Sequence, residues 1–333
     1  MRPAVVLGTN LVIGTAALVW ALHRFGEPAL SLLSRGPSAP LLIGFVLAVA
    51  LGLASAGLRW SVLLTGLGSH VALATLTACR AAGHSLSSLV PSGRMGGEPL
   101  RAYLAVQQGV PAPRAIASVT VDRALEMGGG SVFAAAFGAV LVQQGIPALR
   151  GAAFTLGVAA IGLAVGVALM VRRLRRGGGL LTAVASGTGL DRFGAVRARM
   201  ATIGAAEGDV KALVGQPRRV GVAFGLSVAG HTLVLVEYWL LLSAFGLPSG
   251  PVAVVAAIFA TGAVHSMPVP AGIGVLEGGQ IWLFSMLGYP ADVGLAVGLA
   301  VRLRELLWVM PGLGYLLARA IRTSVGARRP ARS

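Results

Sequence analysis

The chain has 333 residues, of which 56% are hydrophobic and only 11% charged, with a mean hydropathy of +0.82. Soluble domains carry about a quarter charged residues, so this composition belongs in a bilayer and excludes an ordinary soluble fold. Lys and Arg outnumber Asp and Glu 27 to 11, giving a net charge of +16. Most of these cations lie between apolar runs, as the positive-inside bias and attraction to anionic headgroups require, so no nucleic acid is expected as a partner. The single cysteine, Cys79, excludes an internal disulfide and a cysteine metal cluster. No pair among the five histidines has the i, i+4 spacing of a metal-binding helix, so no metal and no cofactor is expected.

Apolar segments recur at 4–22, 40–58, 70–90, 113–143, 152–171, 219–245, 251–268 and 291–322. At about 1.5 Å per residue they approach the roughly 30 Å of a hydrocarbon core. The first is long for a secretion signal and more spans follow, so it is expected to be retained. Two shorter apolar stretches, 98–108 and 276–287, reach only about half-way across, and each is expected to fold against the preceding helix as a re-entrant hairpin. The expected fold is an all-α polytopic bundle forming one integral membrane domain over 1–333. Within it lie a repeat at about 40–143, a linker at about 172–218 and a second repeat at about 219–322.

The repeats show as one motif at an offset of 179 residues. Pro91-Ser92-Gly93 is followed by Glu98, and Pro270-Ala271-Gly272 by Glu277. Gly109 and Pro111 match Gly288 and Pro290; Arg123 and Glu126 match Arg302 and Glu305; Trp60 matches Trp239. Duplication with helix breakers at corresponding places is the pattern of a transporter-like site at a repeat interface.

Orientation follows from the cations. The 172–219 stretch and the tail after Arg319 are arginine-rich and expected to be cytoplasmic; loops 246–250 and 288–290 have no basic residue. Segment 113–143 then runs outward and 291–322 inward, so the copies have inverted topology, with the turns before Glu98 and Glu277 approaching each other near the midplane. Within the linker, Phe193, Val196, Met200 and Ile203 recur at helical spacing, predicting a surface helix over 191–213 on the headgroups.

Charges inside apolar helices are costly, so Glu98, Asp122, Arg123, Glu126, Glu237, Glu277, Arg302, Arg304 and Glu305 must face one another or water. Glu98 and Glu277 each follow a Gly-containing break near the start of a short helix, where the dipole favours an anion. Either they meet a substrate cation or a proton, or they cap their own helices. Arg123 with Glu126 and Arg302 with Glu305 stand at i, i+3, as intrahelical salt bridges or as phosphate contacts. A cross-repeat pairing of Glu98 or Glu277 with Arg123 or Arg302 is a further alternative. Arg94, Arg101 and Arg114 around the first hairpin are read as positive-inside charge, and Glu237, beside Tyr238-Trp239, as interfacial.

Leu89 to Arg101 with Ser118 to Arg123, and Pro268 to Glu277, resemble the two signatures of the lysylphosphatidylglycerol synthase transmembrane-region (flippase-like) family. The resemblance covers nearly the whole chain. It implies a bacterial inner-membrane protein of about six to eight spans, some relatives of which move a lipid between leaflets. Relatives that make aminoacylated lipid carry a soluble transfer domain after the membrane region, so that synthesis is not expected of this chain, which ends at Ser333. The leading expectation is a lipid translocator and not an enzyme, its partners being membrane lipids with polar or anionic headgroups. Its site would draw on Glu98, Glu277, Arg123, Arg302, Glu126, Glu305, Pro91, Gly93, Pro270 and Gly272. The alternatives are a non-transporting membrane partner of a lipid or glycan biosynthetic enzyme and an intramembrane group transferase, for which no nucleophile–base set is evident.

Overall fold

The structure, a computed structural model, describes residues 3–90, 96–143, 200–265, 269 and 272–327, with scattered positions between 150 and 194. Every regular element among them is helical. In chain order they are α1 (Pro3–Leu33), α2 (Ala39–Gly66), α3 (Leu73–Leu89), α4 (Glu98–Val106), α5 (Ala112–Gln143), α6 (Met200–Val214), α7 (Pro217–Ala244), α8 (Pro251–His265), α9 (Val275–Met286) and α10 (Ala291–Ala327). About half of the expected span 152–171 and most of 172–199 lie outside the described residues, as do Pro91, Gly93, Arg94 and Pro270.

Helix boundaries follow the breakers. α4 begins at Glu98 and α9 at Val275, directly after the two Pro-x-Gly segments. Both short helices end in the same way. Gly109 and Gly288 have φ of 86° and 85°, a left-handed conformation that glycine enters without steric penalty. The next amide then reaches back five residues, Val110 N to Ala105 O at 3.2 Å and Tyr289 N to Phe284 O at 3.0 Å, closing a Schellman-type turn before Pro111 and Pro290. The duplication read from residue types thus recurs as duplicated turn geometry. At 9 and 12 residues, α4 and α9 are about 13 and 18 Å long, well short of a bilayer core.

Two of the described helices, α2 and α7, are long and apolar enough to cross a membrane. The surface is inside out relative to a soluble protein. On α10, Leu303, Leu306, Met310, Leu313, Leu317 and Ile321 are all exposed, at the i+3 and i+4 steps of one helix face, while Arg304 and Glu305 are buried. Along α2, Ile43, Leu47 and Leu51 make a similar exposed stripe. Hydrocarbon outside and charge inside is what a lipid environment selects.

The described helices divide into two compact units, each discontinuous in sequence: 1–53, 78–100 and 234–333 in one, 54–77 and 101–233 in the other. The first unit packs α9 on α8 and α10, with α1 against both α9 and α10. Its interior is rich in small residues (Ala21, Ala29, Ala81, Ala257, Ala296, Ala300), which let helices approach closely where burial alone gives little drive. Gly312 sits over Ala81 O and Ser85 Oγ, and Ser85 Oγ donates to Val309 O at 2.7 Å, tying α3 to α10.

The second unit packs α5 against α6 around Leu63, Leu67, Ala117, Val121, Val210, Leu213 and Ala223. Here the expectation for the linker is corrected. The described part of it, α6, buries Ala206, Glu207, Val210 and Leu213 against protein, whereas Met200 and Ile203 of the expected lipid face are only half-buried. A core-facing stripe displaced around the helix wins because α5 supplies an apolar partner.

Candidate functional site

The second hairpin is the better defined. Gly272 and Gly274 both take positive φ, 58° and 75°, which turns the backbone into α9. Glu277 then sits in the first turn, fully buried. Its Oε2 accepts from the Gly274 amide at 3.0 Å, the glutamate half of a capping box. Its Oε1 accepts from Arg302 Nη2 at 2.7 Å and from Nε at 3.1 Å. Arg302 Nη2 also donates to Gly272 O at 3.3 Å, so one arginine of α10 holds both the carboxylate and the carbonyl of the break. The cap foreseen from the sequence coexists with an ion pair to Arg302 on the two oxygens of one carboxylate. Gly298 makes room for this: a Cβ there would lie 3.2 Å from Glu277 Cα. Below the turn, Gln280 Nε2 donates to Ala257 O at 2.9 Å and to Thr261 Oγ1 at 3.1 Å, fastening α9 to α8.

In the first copy, Glu98 opens α4 and is half-buried, and the Gly97 amide donates to Ser87 Oγ at 2.8 Å. Arg123 and Glu126 form the expected i, i+3 pair at 3.4 Å. The second copy departs from that expectation. Arg302 engages Glu277, and Glu305 receives Arg304 Nη1 at 3.4 Å. Arg302 is engaged across helices because the glycine break brings a buried anion, Glu277, to it.

Two further charge clusters are sealed inside the protein. In the second unit, Asp122, with no exposed surface, accepts from Arg59 Nε and from Arg101 Nη2, both at 2.6 Å. The Arg101 guanidinium lies 4.6 Å from the centre of the Trp60 ring, whose Nε1 donates to Ser118 Oγ at 3.0 Å. In the first unit, Glu237 Oε2 accepts from Arg304 Nε at 2.7 Å and Trp308 Nε1 at 3.0 Å, with Arg304 4.8 Å from the Tyr238 ring centre.

These clusters correct two readings: Arg101 is a buried clamp and not positive-inside surface charge, and Glu237 is buried and not interfacial. Arg59 was missed as a partner. The signal was there, since an arginine and an aspartate isolated in apolar helices must find each other. The clusters occupy similar places in the two copies with opposite sign: cation on α2 and anion on α5, then anion on α7 and cation on α10.

What separates the duplicated arginines from the sealed ones is access. Arg123 keeps 23% of its side chain exposed and Arg302 keeps 25%, against 5% or less for Arg59 and Arg101. Each stands eleven residues into its helix, from Ala112 and from Ala291 respectively. That is about 16 Å, near the middle of a core of about 30 Å for a helix starting at its edge. An accessible cation at that depth can take a phosphate or carboxylate oxygen in charge-assisted hydrogen bonds. The described residues hold no group of three or more His, Cys, Asp or Glu able to bind a metal ion.

No curated protein matches the chain. A family model, the lysylphosphatidylglycerol synthase TM region, matches residues 6–313. The helical architecture, the exposed apolar faces and the internal charge agree with that match: the chain is a membrane protein of the lysylphosphatidylglycerol synthase transmembrane-region family.

Proposed function

We propose that this protein translocates a polar lipid headgroup across the bacterial inner membrane while the acyl chains stay in the bilayer. The observation that carries the reading is the pair of accessible arginines, Arg123 and Arg302, one per copy at the same helical depth. Each has a glutamate beside it, Glu126 or Glu277, that balances its charge when no lipid is bound. Arg302 and the Gly272 carbonyl offer a phosphate cation and a hydroxyl or ammonium acceptor within one turn. Glu98 and Glu277 act as sites for a headgroup cation or a proton. No bond is made or broken in this reading.

The two repeats are assigned opposite topology, with the arginine-rich linker and the C-terminus cytoplasmic. The cytoplasmic side rests on the arginine content of the linker and tail, and the way the spanning helices divide supports the opposite topology. The early half of α2 and the late half of α7 belong to the first unit, and the late half of α2 and the early half of α7 to the second. Halves exchanged in this order are what two mirror-related copies produce, and rocking of such copies gives alternating access.

The test is transfer of a headgroup-labelled phospholipid in vesicles containing the full chain, read by accessibility to a membrane-impermeant quencher. Arg302→Gln and Arg123→Gln each remove charged hydrogen bonds and are expected to slow transfer about 10- to 100-fold. Wild-type rates in both variants, or in the Glu98→Gln/Glu277→Gln double variant, overturn the assignment of those residues.

A further inference from the structure

A groove of about 530 Å³ runs along α9 in the first unit, lined by Ala17, Trp20 and Ala21 of α1 and by Gly274, Gly278, Ile281, Trp282, Ser285 and Met286. The α9 residues recur at helical spacing from the break at Gly274 to the last turn. The groove is therefore as long as the helix, about 18 Å. Its lining combines small residues with larger apolar ones, among them two tryptophans, Trp20 and Trp282, which leave 62% and 52% of their surface uncovered. We propose that this groove is a binding site for one acyl chain of a bilayer lipid.

Three observations select that occupant. The groove opens onto the outer surface, since Trp20 of α1 and Trp282 of α9, which line it, are both exposed, so hydrocarbon is what meets it in a membrane. Second, it is kept open by a residue that costs the helix stability. Gly278 lies inside α9, where glycine is a poor helix former, and a Cβ built on it would meet no atom within 4 Å. Any larger side chain at 278 projects into the empty space.

Third, the groove has a rigid upper end. Gly14 of α1 packs directly on the Ile273 carbonyl, and a Cβ on Gly274 would run into Gly14 O. That same Gly274 is bonded to Glu277, which holds Arg302, so a tail lying in the groove ends beside the cation assigned to the headgroup. This last link alone rests on the function proposed above.

The experiment uses the full chain in phosphatidylglycerol–phosphatidylethanolamine vesicles doped with a phospholipid bearing a photoactivatable diazirine in one acyl chain. After illumination, labelled peptides are identified by mass spectrometry. Labelling is expected to concentrate on Ile281, Trp282, Met286 and Trp20, above the level on the plain lipid-facing stripe of α10 (Leu306, Met310, Leu317). Gly278→Trp is expected to abolish the excess on α9 and leave the α10 labels unchanged, while Gly278→Ala retains most of it. Arg302→Gln is expected to slow transfer as above but keep the groove labels, which separates failure of the headgroup site from failure of the groove. Equal labelling of α9 and α10 in the wild type, or excess labelling that survives Gly278→Trp, overturns the proposal.

Discussion

Replacing Asp122 by Asn tests the reading of the sealed cluster. The substitution keeps the volume and one acceptor oxygen but removes the charge that two arginines share at 2.6 Å each, with all three side chains at 5% exposure or less. Removing one partner of a buried pair typically costs about 3–5 kcal/mol, because the remaining charge is left uncompensated. Glu126 stands 3.6 Å from Arg59 and relieves part of that, so the expected loss lies near the lower end, about 3 kcal/mol. Thermal melting of the full chain in detergent, followed by the helical circular dichroism signal, should fall by at least about 5 °C. Arg101→Gln alone is expected to cost less, since Asp122 keeps Arg59, and adding it to Asp122→Asn should recover stability by removing the stranded cation. If Asp122→Asn melts within about 1 °C of wild type, or if Arg101→Gln is the more damaging single change, the cluster does not bury charge as described.

The mirror cluster should behave likewise: Arg304→Gln strands Glu237 and costs about 3–5 kcal/mol by the same measurement, with Glu237→Gln added to it restoring part. Gly14→Ala places a methyl against the Ile273 carbonyl and should loosen α1 from the second hairpin. The chain's one cysteine, Cys79, is fully buried in that unit, so thiol-dye labelling on heating should begin at lower temperature in Gly14→Ala. Gly44→Ala, whose Cβ would find Leu240 at an ordinary 3.5 Å, should leave it unchanged. Glu277→Gln removes the charged cap and the Arg302 contact; amide exchange at 274–278 should speed up by about 5- to 30-fold, matching a cap loss of about 1–2 kcal/mol, with α5 unaffected.

Much of the architecture was readable from residue order because its punctuation is local. Pro, Gly and the repeat offset located the starts of α4 and α9 to within a residue, and the left-handed turns at Gly109 and Gly288 follow from glycine chemistry. The rule that charges in apolar helices must find partners held for Asp122, Glu237, Glu277 and Arg304. Which partner each finds was not readable. Arg101 and its counterpart Gln280 carry no sign that one clamps Asp122 and the other fastens α9 to α8. Arg302 has Glu305 at a favourable spacing in sequence, yet the positive-φ glycines deliver Glu277 to it through space. Pairing depends on which faces neighbouring helices present, and period alone leaves that rotation undetermined.

The two copies are not two separate bundles. Ser227 of α7 donates to Leu125 O of α5 at 2.9 Å, and Gly52 of α2 packs beside Glu237 of α7 and Trp308 of α10. Each compact unit is assembled from parts of both copies, with α2 and α7 each shared between the two. Neither half of the duplication can therefore be excised as an independent folding piece, because cutting between them removes packing partners from both units.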